Sequence, residues 1–127
     1  MCIDLKRNEK LTATEDIDVL KVVRIKDGKI CSPMFQYEIW IPGEIKEVPE
    51  LEIVRDPFAF SDEDPYRTMA GLYSFSSKCN PQECKYKTGL VDVILEVWKA
   101  KIPKESNYVQ VGNQLCSNRL ILISKVC

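Results

Sequence analysis

Polar side chains on or beside strand-like segments are the first candidates for chemistry in this sequence. Tyr73, Ser74 and Ser76 form a hydroxyl-rich segment, and Arg24 interrupts an apolar run of β-branched residues. Residues 117–119 (Ser-Asn-Arg) directly precede the last apolar run. Hydroxyl, amide and guanidinium groups can hydrogen-bond a polar ligand, and a guanidinium can bind a carboxylate or phosphate through two parallel bonds. The candidate ligand-binding residues are therefore Arg24, Tyr73, Ser74, Ser76, Asn118 and Arg119.

Each of these groups also has a purely structural interpretation. Small polar residues commonly form the solvent-facing side of a strand, so the serines need no functional explanation. An arginine inside an apolar strand is typical of the exposed face, and residues 117–119 are typical of a turn. The residues alone leave both interpretations open.

Catalytic groups are scarce in the sequence. There is no histidine, so the chain lacks the commonest general base and the nucleophile pairs that depend on it. The acids at 62–64 lie between prolines, with nothing apolar nearby to raise a carboxyl pKa. The sequence identifies no catalytic residue and no cofactor. It favours a protein that is not an enzyme, without deciding the point.

Composition and charge narrow the class of protein. The chain has 127 residues, which predicts a single domain spanning 1–127. Its 18 basic and 19 acidic side chains give a net charge of −1, which argues against a disordered acidic tail and a nucleic-acid binder. The N-terminal ten residues carry no apolar run, so we expect no signal peptide, no membrane partner and a cytoplasmic location.

Two of the six cysteines, Cys79 and Cys84, have a spacing close to that of zinc ligands. If Asn80 caps a helix, however, they occupy the two positions of a hydrophobic staple and touch for that reason alone. A disulfide, or a metal shared with Cys31 or Cys116, is the alternative. In a reducing compartment we expect thiols and no metal site.

Strand patterns outnumber helix patterns. We predict strands at 19–25, 30–32, 35–41, 51–55, 72–77, 91–102 and 120–124. Asp27-Gly28 predicts a hairpin between the first two, because both central positions of a type I′ turn need positive φ. The odd-numbered residues of 91–97 are expected to face the core, and the continuous apolar run at 120–124 indicates a central strand buried on both faces.

One helix is legible in the sequence. Asn80, Pro81 and Glu83 match an N-cap, a first helical position and a capping box, and Gly89 is a plausible stop. A second short helix or a turn is expected at 13–16. Together these elements predict an α+β domain: a single antiparallel-rich sheet with one or two short helices.

The order of several short motifs resembles a family of small, mostly uncharacterised phage and bacterial domains, some of them appended to pentapeptide-repeat proteins. The matching segments are 16–22, 28–33, 37–43, 71–75, 97–106 and 117–121. They span nearly the whole chain, but each motif is weak alone. The family's histidine after Gly-Leu is replaced by Tyr73, so no imidazole role carries over.

A more distant similarity is to the ADP-ribosyltransferase fold. Arg24, the Ser-Phe-Ser segment at 74–76 and the Ile-Pro-Lys-Glu-Ser segment at 102–106 look like three of that family's motifs. Residues 117–119 stand where its catalytic acid is expected. The resemblance therefore implies binding of an ADP-ribose-like nucleotide more than transfer.

These observations favour a small non-catalytic binding protein, encoded by a phage or bacterium. It would engage a host protein or sequester a small nucleotide-like ligand, with homo-oligomerisation through exposed strand edges also open. The alternative is a divergent ADP-ribosyltransferase-like enzyme or a relic that binds NAD or ADP-ribose.

Overall fold

Strands dominate the computed structural model, which describes residues 3–5, 7, 9–33, 38–55 and 66–127. These residues form twelve strands and one helix. In chain order they are β1 (Asp4–Leu5), β2 (Leu11–Thr12), β3 (Ile17–Lys26), β4 (Lys29–Cys31), β5 (Ile45–Glu47), β6 (Glu52–Arg55), β7 (Tyr66–Ala70), β8 (Leu72–Ser76), α1 (Pro81–Lys87), β9 (Ile94–Ile102), β10 (Asn107–Val111), β11 (Gln114–Ser117) and β12 (Arg119–Lys125).

The main sheet is antiparallel and is organised around β3. Its strand order is β2-β10-β11-β8-β3-β9-β12-β5, and β4 also pairs with β3. One edge of β3 pairs with β9 along nearly its whole length. The other edge is shared, because β8 pairs with Val19 and Leu20 whereas β4 pairs only from Arg24 onward. Lys21 therefore lies where β3 has left β8 and has not yet met β4.

The sheet curls so that its two ends meet at one corner. β11 and β12 are separated only by Asn118, whose amide donates to the carbonyl of Asn107 at 3.1 Å and whose carbonyl accepts from the amide of Val48 at 2.9 Å. The inner face of this curl holds the largest apolar cluster. Its buried members are Ala13, Val19, Val23, Trp40, Leu72, Ala100, Ile102, Leu115, Leu120 and Leu122.

The outer face of the sheet is covered by two smaller layers. Helix α1 covers a cluster formed by Leu20, Val22, Phe75, Cys79, Cys84 and Val97. A separate three-stranded sheet of order β1-β7-β6 contributes to a second cluster. The buried members of this cluster are Ile3, Leu5, Leu51, Val109 and Cys116. Alternate residues of β3 thus enter clusters on both faces of the main sheet, which explains its apolar sequence.

The local signals for the hairpin and the helix are confirmed. Asp27 and Gly28 have φ values of 53° and 75°, and Lys26 pairs with Lys29 across the turn. The Asn80 side chain accepts from the amide of Gln82 at 2.9 Å at the start of α1. Gly89 follows the C-cap in the left-handed region, with φ of 69°.

The strand predictions need several corrections. β12 does not have two buried faces, because Leu120 and Leu122 are buried whereas Ile123 is 48% exposed. β9 begins only at Ile94 and leaves Val91 exposed. Val97 and the partly buried Leu95 face a core cluster as expected, but the opposite face is also buried at Ala100 and Ile102.

Other predicted elements fall differently. Residues 13–16, expected to form a short helix or a turn, form a bend between β2 and β3. Of the expected strand at 35–41, residues 35–37 lie outside the described residues, and Ile39 forms only an isolated bridge with Cys31. The loop at 56–65 also lies outside them. The β10–β11 hairpin was missed, although its Gly112-Asn113 pair is a recognised turn signal.

The predicted antiparallel strand pairing is confirmed, but the strands form two sheets and not the single sheet expected. With α1 the only helix in the described part of the chain, β-rich describes the fold better than α+β. Within that part no helix is long and apolar enough to cross a membrane.

Candidate functional site

A buried lysine stands at the break in the pairing of β3. Lys21 is 6% exposed and belongs to the set of alternate residues that includes Val19 and Val23 of the inner cluster. Its ammonium nitrogen donates to the carbonyl oxygen of Tyr73 at 2.7 Å, which lies beyond the last β3–β8 pair, Leu20 with Phe75. The side chain therefore joins two strands at a place where their backbones no longer pair.

Trp40 connects Lys21 to a chain of polar groups. The Lys21 nitrogen lies 5.3 Å from the centre of the Trp40 ring, and the nitrogen of Lys46 lies 5.7 Å from it. The Trp40 indole donates to the Ser32 hydroxyl at 2.8 Å, which donates to the Glu38 carboxylate, also at 2.8 Å. Lys46 further donates to the Ile39 carbonyl at 3.0 Å.

The electrostatics of this group are governed by burial. Removal from water lowers the pKa of Lys21 from 10.5 to about 8, although the negative charge of Glu38 acts in the opposite direction. Lys21 is thus mostly charged at neutral pH, and a small fraction is the free amine. The ammonium groups of Lys21 and Lys46 both lie near the Trp40 ring, and the hydrogen-bonded chain from the Trp40 indole ends at the carboxylate of Glu38. Two positive charges therefore accompany one negative charge, and this local charge balance favours an anionic ligand.

Ser74 adds an unpaired hydroxyl to the same face. It is 1% exposed, and its oxygen is the one buried side-chain N or O atom without a hydrogen-bond partner among the described residues. Ser74 alternates with Leu72, an inner-cluster residue, and directly follows Tyr73, whose carbonyl binds Lys21. Because an unsatisfied buried hydroxyl costs stability, this position is a natural place for an additional group.

The remaining residues of the serine segment have different surroundings. The Tyr73 side chain packs against the outer cluster, and its hydroxyl is hydrogen-bonded to Thr68 at 3.0 Å. Ser76 accepts from the amide of Lys78 at 3.3 Å. Of the three predicted hydroxyl residues, Ser74 is the one with a buried, unpartnered hydroxyl, and by alternation it lies on the face of the sheet to which Lys21 also belongs.

Arg24 does not join the serines. On the regularly paired β3, it alternates with Leu20 and Val22, which face α1, whereas Ser74 shares the inner face with Leu72. The Arg24 and Ser74 side chains therefore leave opposite faces of the sheet. The ADP-ribosyltransferase resemblance itself stays a prediction.

Asn118 and Arg119 make structural contacts at the corner of the curl. The Arg119 guanidinium donates to the Ser106 hydroxyl at 3.1 Å and to the Lys104 carbonyl at 2.9 Å. The Asn118 side chain accepts from the amide of Asn107 at 2.9 Å. Both residues hold the turn between β9 and β10 against the corner. Ligand binding by them stays a prediction.

The two cysteines beside α1 form the expected contact. Cys79 and Cys84 are both buried in one cluster, and both are free thiols. Burial, together with the neighbouring Cys79 thiol, raises the pKa of Cys84 to about 12. The hydrophobic-staple interpretation accounts for this geometry. No metal-binding group of three or more His, Cys, Asp or Glu residues occurs within the described ranges.

Comparisons with known proteins add no relative. No protein-family model matches the chain, and no curated protein or solved structure matches it either. The two family resemblances therefore remain hypotheses.

Sequence reasoning missed Lys21, Ser32, Glu38 and Lys46 as site residues. A signal for Lys21 was present, because it occupies an inward position in the alternating run Val19-Leu20-Lys21-Val22-Val23. A lysine there must bury an amine or displace the strand. Ser32 and Glu38 carry no comparable signal, since only the bridge between Cys31 and Ile39 brings them together.

Proposed function

We propose that the protein is a non-catalytic binding protein that holds a small polar ligand with an anionic group beside Lys21 and Ser74. A nucleotide is the ligand class that the distant ADP-ribosyltransferase resemblance implies. The observation that carries the proposal is the unpartnered Ser74 hydroxyl, one residue from the carbonyl that Lys21 binds. A buried amine and an unsatisfied hydroxyl on one face both lower the stability of the unliganded protein.

The charges near Trp40 support an anion in preference to a cation. Lys21 and Lys46 both lie within 6 Å of the ring centre, and the Glu38 carboxylate already accepts from Ser32. An anionic oxygen could accept from the Lys21 ammonium and from the Ser74 hydroxyl together. The half-buried Lys46 and Glu38 would lie on the solvent side of such a ligand.

Native mass spectrometry of protein purified without chelator tests the proposal first. We expect excess mass that matches a small anionic compound, together with calorimetric binding of AMP or inorganic phosphate and no binding of uncharged adenosine. Lys21→Met and Ser74→Ala should each abolish or strongly weaken that binding. Lys99→Met, which removes an exposed lysine of β9, is the matched control and should bind as the wild type does.

Two outcomes would overturn the proposal. One is a bare chain that binds neither phosphate, AMP nor ADP-ribose. The other is unchanged affinity in both site variants, with their folding verified by circular dichroism. Either result would favour the alternative that the protein binds another protein and not a small ligand.

A further inference from the structure

The Lys21 nitrogen reaches fewer hydrogen-bond acceptors than an ammonium group can use. An ammonium carries three N–H donors, yet the Tyr73 carbonyl, at 2.7 Å, is the one acceptor that the nitrogen meets among the described residues. Its other close neighbour is the Trp40 ring, whose centre lies 5.3 Å away. Two of the three donors are therefore left without an oxygen acceptor in the described part of the chain.

The neighbouring positions on the inner face are apolar apart from one hydroxyl. The β3–β8 register, continued by one residue beyond its last pair, places Lys21 opposite Ser74. On its other side Lys21 pairs with Trp98 of β9, and Ser74 pairs with Leu115 of β11. The row across the sheet thus brings the amine beside the unpartnered Ser74 hydroxyl and encloses both between apolar side chains.

A nitrogen with a single N–H would match these surroundings better than an ammonium does. A lysine amine that condenses with a carbonyl compound forms an imine, and the protonated imine has one N–H and keeps the positive charge. That N–H could donate to the Tyr73 carbonyl in place of the ammonium. The retained charge would also preserve the attraction between Lys21 and the Glu38 carboxylate.

We propose that Lys21 captures a small 2-oxo acid as a covalent imine. The amine nitrogen attacks the carbonyl carbon, a carbon–nitrogen double bond replaces the carbonyl bond, and the oxygen leaves as water with the two amine hydrogens. A proton from solvent completes the iminium, and nothing is oxidised or reduced. The inference rests on the proposed function, because it uses the same anion site and names a carboxylate as the anion.

The groups around Lys21 fit the carboxylate of such a compound. In a 2-oxo acid the carboxylate is bonded to the reacting carbon, so after capture it lies close to the Lys21 nitrogen. The buried Ser74 hydroxyl, opposite Lys21, can donate to it. The Lys46 ammonium, 5.7 Å from the centre of the Trp40 ring, adds a second positive charge. A neutral aldehyde would use neither group.

Burial also supplies the reactive form of the amine. Removal from water lowers the pKa of Lys21 to about 8, although Glu38 and Cys116 act in the opposite direction. At pH 7 about a tenth of Lys21 is therefore free amine, compared with less than about one part in a thousand of an ordinary lysine. Imine formation begins from the free amine, so Lys21 should react ahead of the exposed Lys99.

Trapping with glyoxylate and sodium cyanoborohydride at pH 7 tests the capture. Hydride reduction turns an imine into a stable carboxymethyl-lysine, which peptide mass spectrometry locates. We expect Lys21 to be labelled at least about tenfold faster than Lys99 in the folded protein, and equally fast in urea. Ser74→Ala should slow labelling of Lys21, whereas Ser117→Ala, which changes another buried serine, should not. Acetaldehyde, which has no carboxylate, should show a smaller preference for Lys21.

The outcomes separate this inference from the function on which it rests. Binding of phosphate or AMP without preferential labelling of Lys21 would overturn the imine and leave anion binding intact. Absence of both would overturn both. A Lys21 found acylated in the protein as purified would also overturn the imine, because an amide would then supply the single N–H.

Discussion

The ammonium nitrogen of Lys21 lies 2.7 Å from the carbonyl oxygen of Tyr73, at the point where β3 and β8 stop pairing. A side chain here supplies a link that the backbone ladder no longer provides. The link requires a charged group inside an apolar cluster, and the lowered pKa of Lys21 reflects that burial. Because this amine can lose its proton, the free energy of unfolding should depend on pH.

The stability of the protein should rise as the solution becomes alkaline through the pKa of Lys21. The folded-state pKa of about 8 lies below the ordinary lysine pKa of 10.5, so above pH 8 the unfolded chain binds more protons than the folded one. Between pH 7 and pH 10 the wild type should gain about 2 kcal/mol in free energy of unfolding relative to Lys21→Met. Urea denaturation of both proteins across this range measures the difference.

The comparison with Lys21→Met is essential because Cys84 acts in the opposite direction. Its folded-state pKa of about 12 exceeds the ordinary cysteine pKa of 9.0, so its contribution to stability is lost as the pH rises above about 9. Both proteins share this loss, so it cancels in the difference. A constant difference between them from pH 7 to pH 10 would show that Lys21 is not buried as a titrating amine.

Ser74→Ala should leave the unliganded protein as stable as the wild type or more stable, by up to about 1 kcal/mol. The reason is that the hydroxyl is buried without a partner. Ser117→Ala is the matched control, because the buried Ser117 hydroxyl donates to the Arg119 carbonyl at 3.0 Å. That change should cost about 1 kcal/mol. Equal destabilisation by both variants in thermal and urea melts would contradict the assignment of Ser74.

Arg119→Ala should destabilise the fold by about 2–3 kcal/mol. It removes two charge-assisted hydrogen bonds and leaves the buried Ser106 without its guanidinium partner. Lys104→Ala is the control, because only the backbone carbonyl of Lys104 takes part and its side chain is exposed. If Arg119→Ala instead lost ligand affinity with an unchanged melting curve, Arg119 would be the binding residue that the sequence suggested.

Cys84 should be alkylated about a thousandfold more slowly in the folded protein than in the unfolded chain at pH 8. Its side chain is fully buried, and its raised pKa leaves little thiolate. Iodoacetamide labelling followed by peptide mass spectrometry measures the rate, with the half-buried Cys127 as the internal comparison. Thiol counts in denaturant should be six with and without reductant. A lower count without reductant would indicate a disulfide.

The sequence alone was enough to predict the elements that are stabilised by interactions between neighbouring residues. The Asp27-Gly28 hairpin follows from two positive φ angles, and the start of α1 follows from the Asn80 side chain and Pro81. In each case the interaction joins residues only a few positions apart, so the chain specifies it before any tertiary contact forms.

Which residues meet was decided by the tertiary structure. The sequence selected Arg24 and Ser74 together, but alternation along two paired strands sends their side chains to opposite faces. It left out Lys21, Trp40 and Glu38 as a group, because their convergence depends on the order of strands and on the break between β8 and β4. Strand order follows from burying both faces of β3, a long-range requirement that residue types and spacing along the chain do not encode locally.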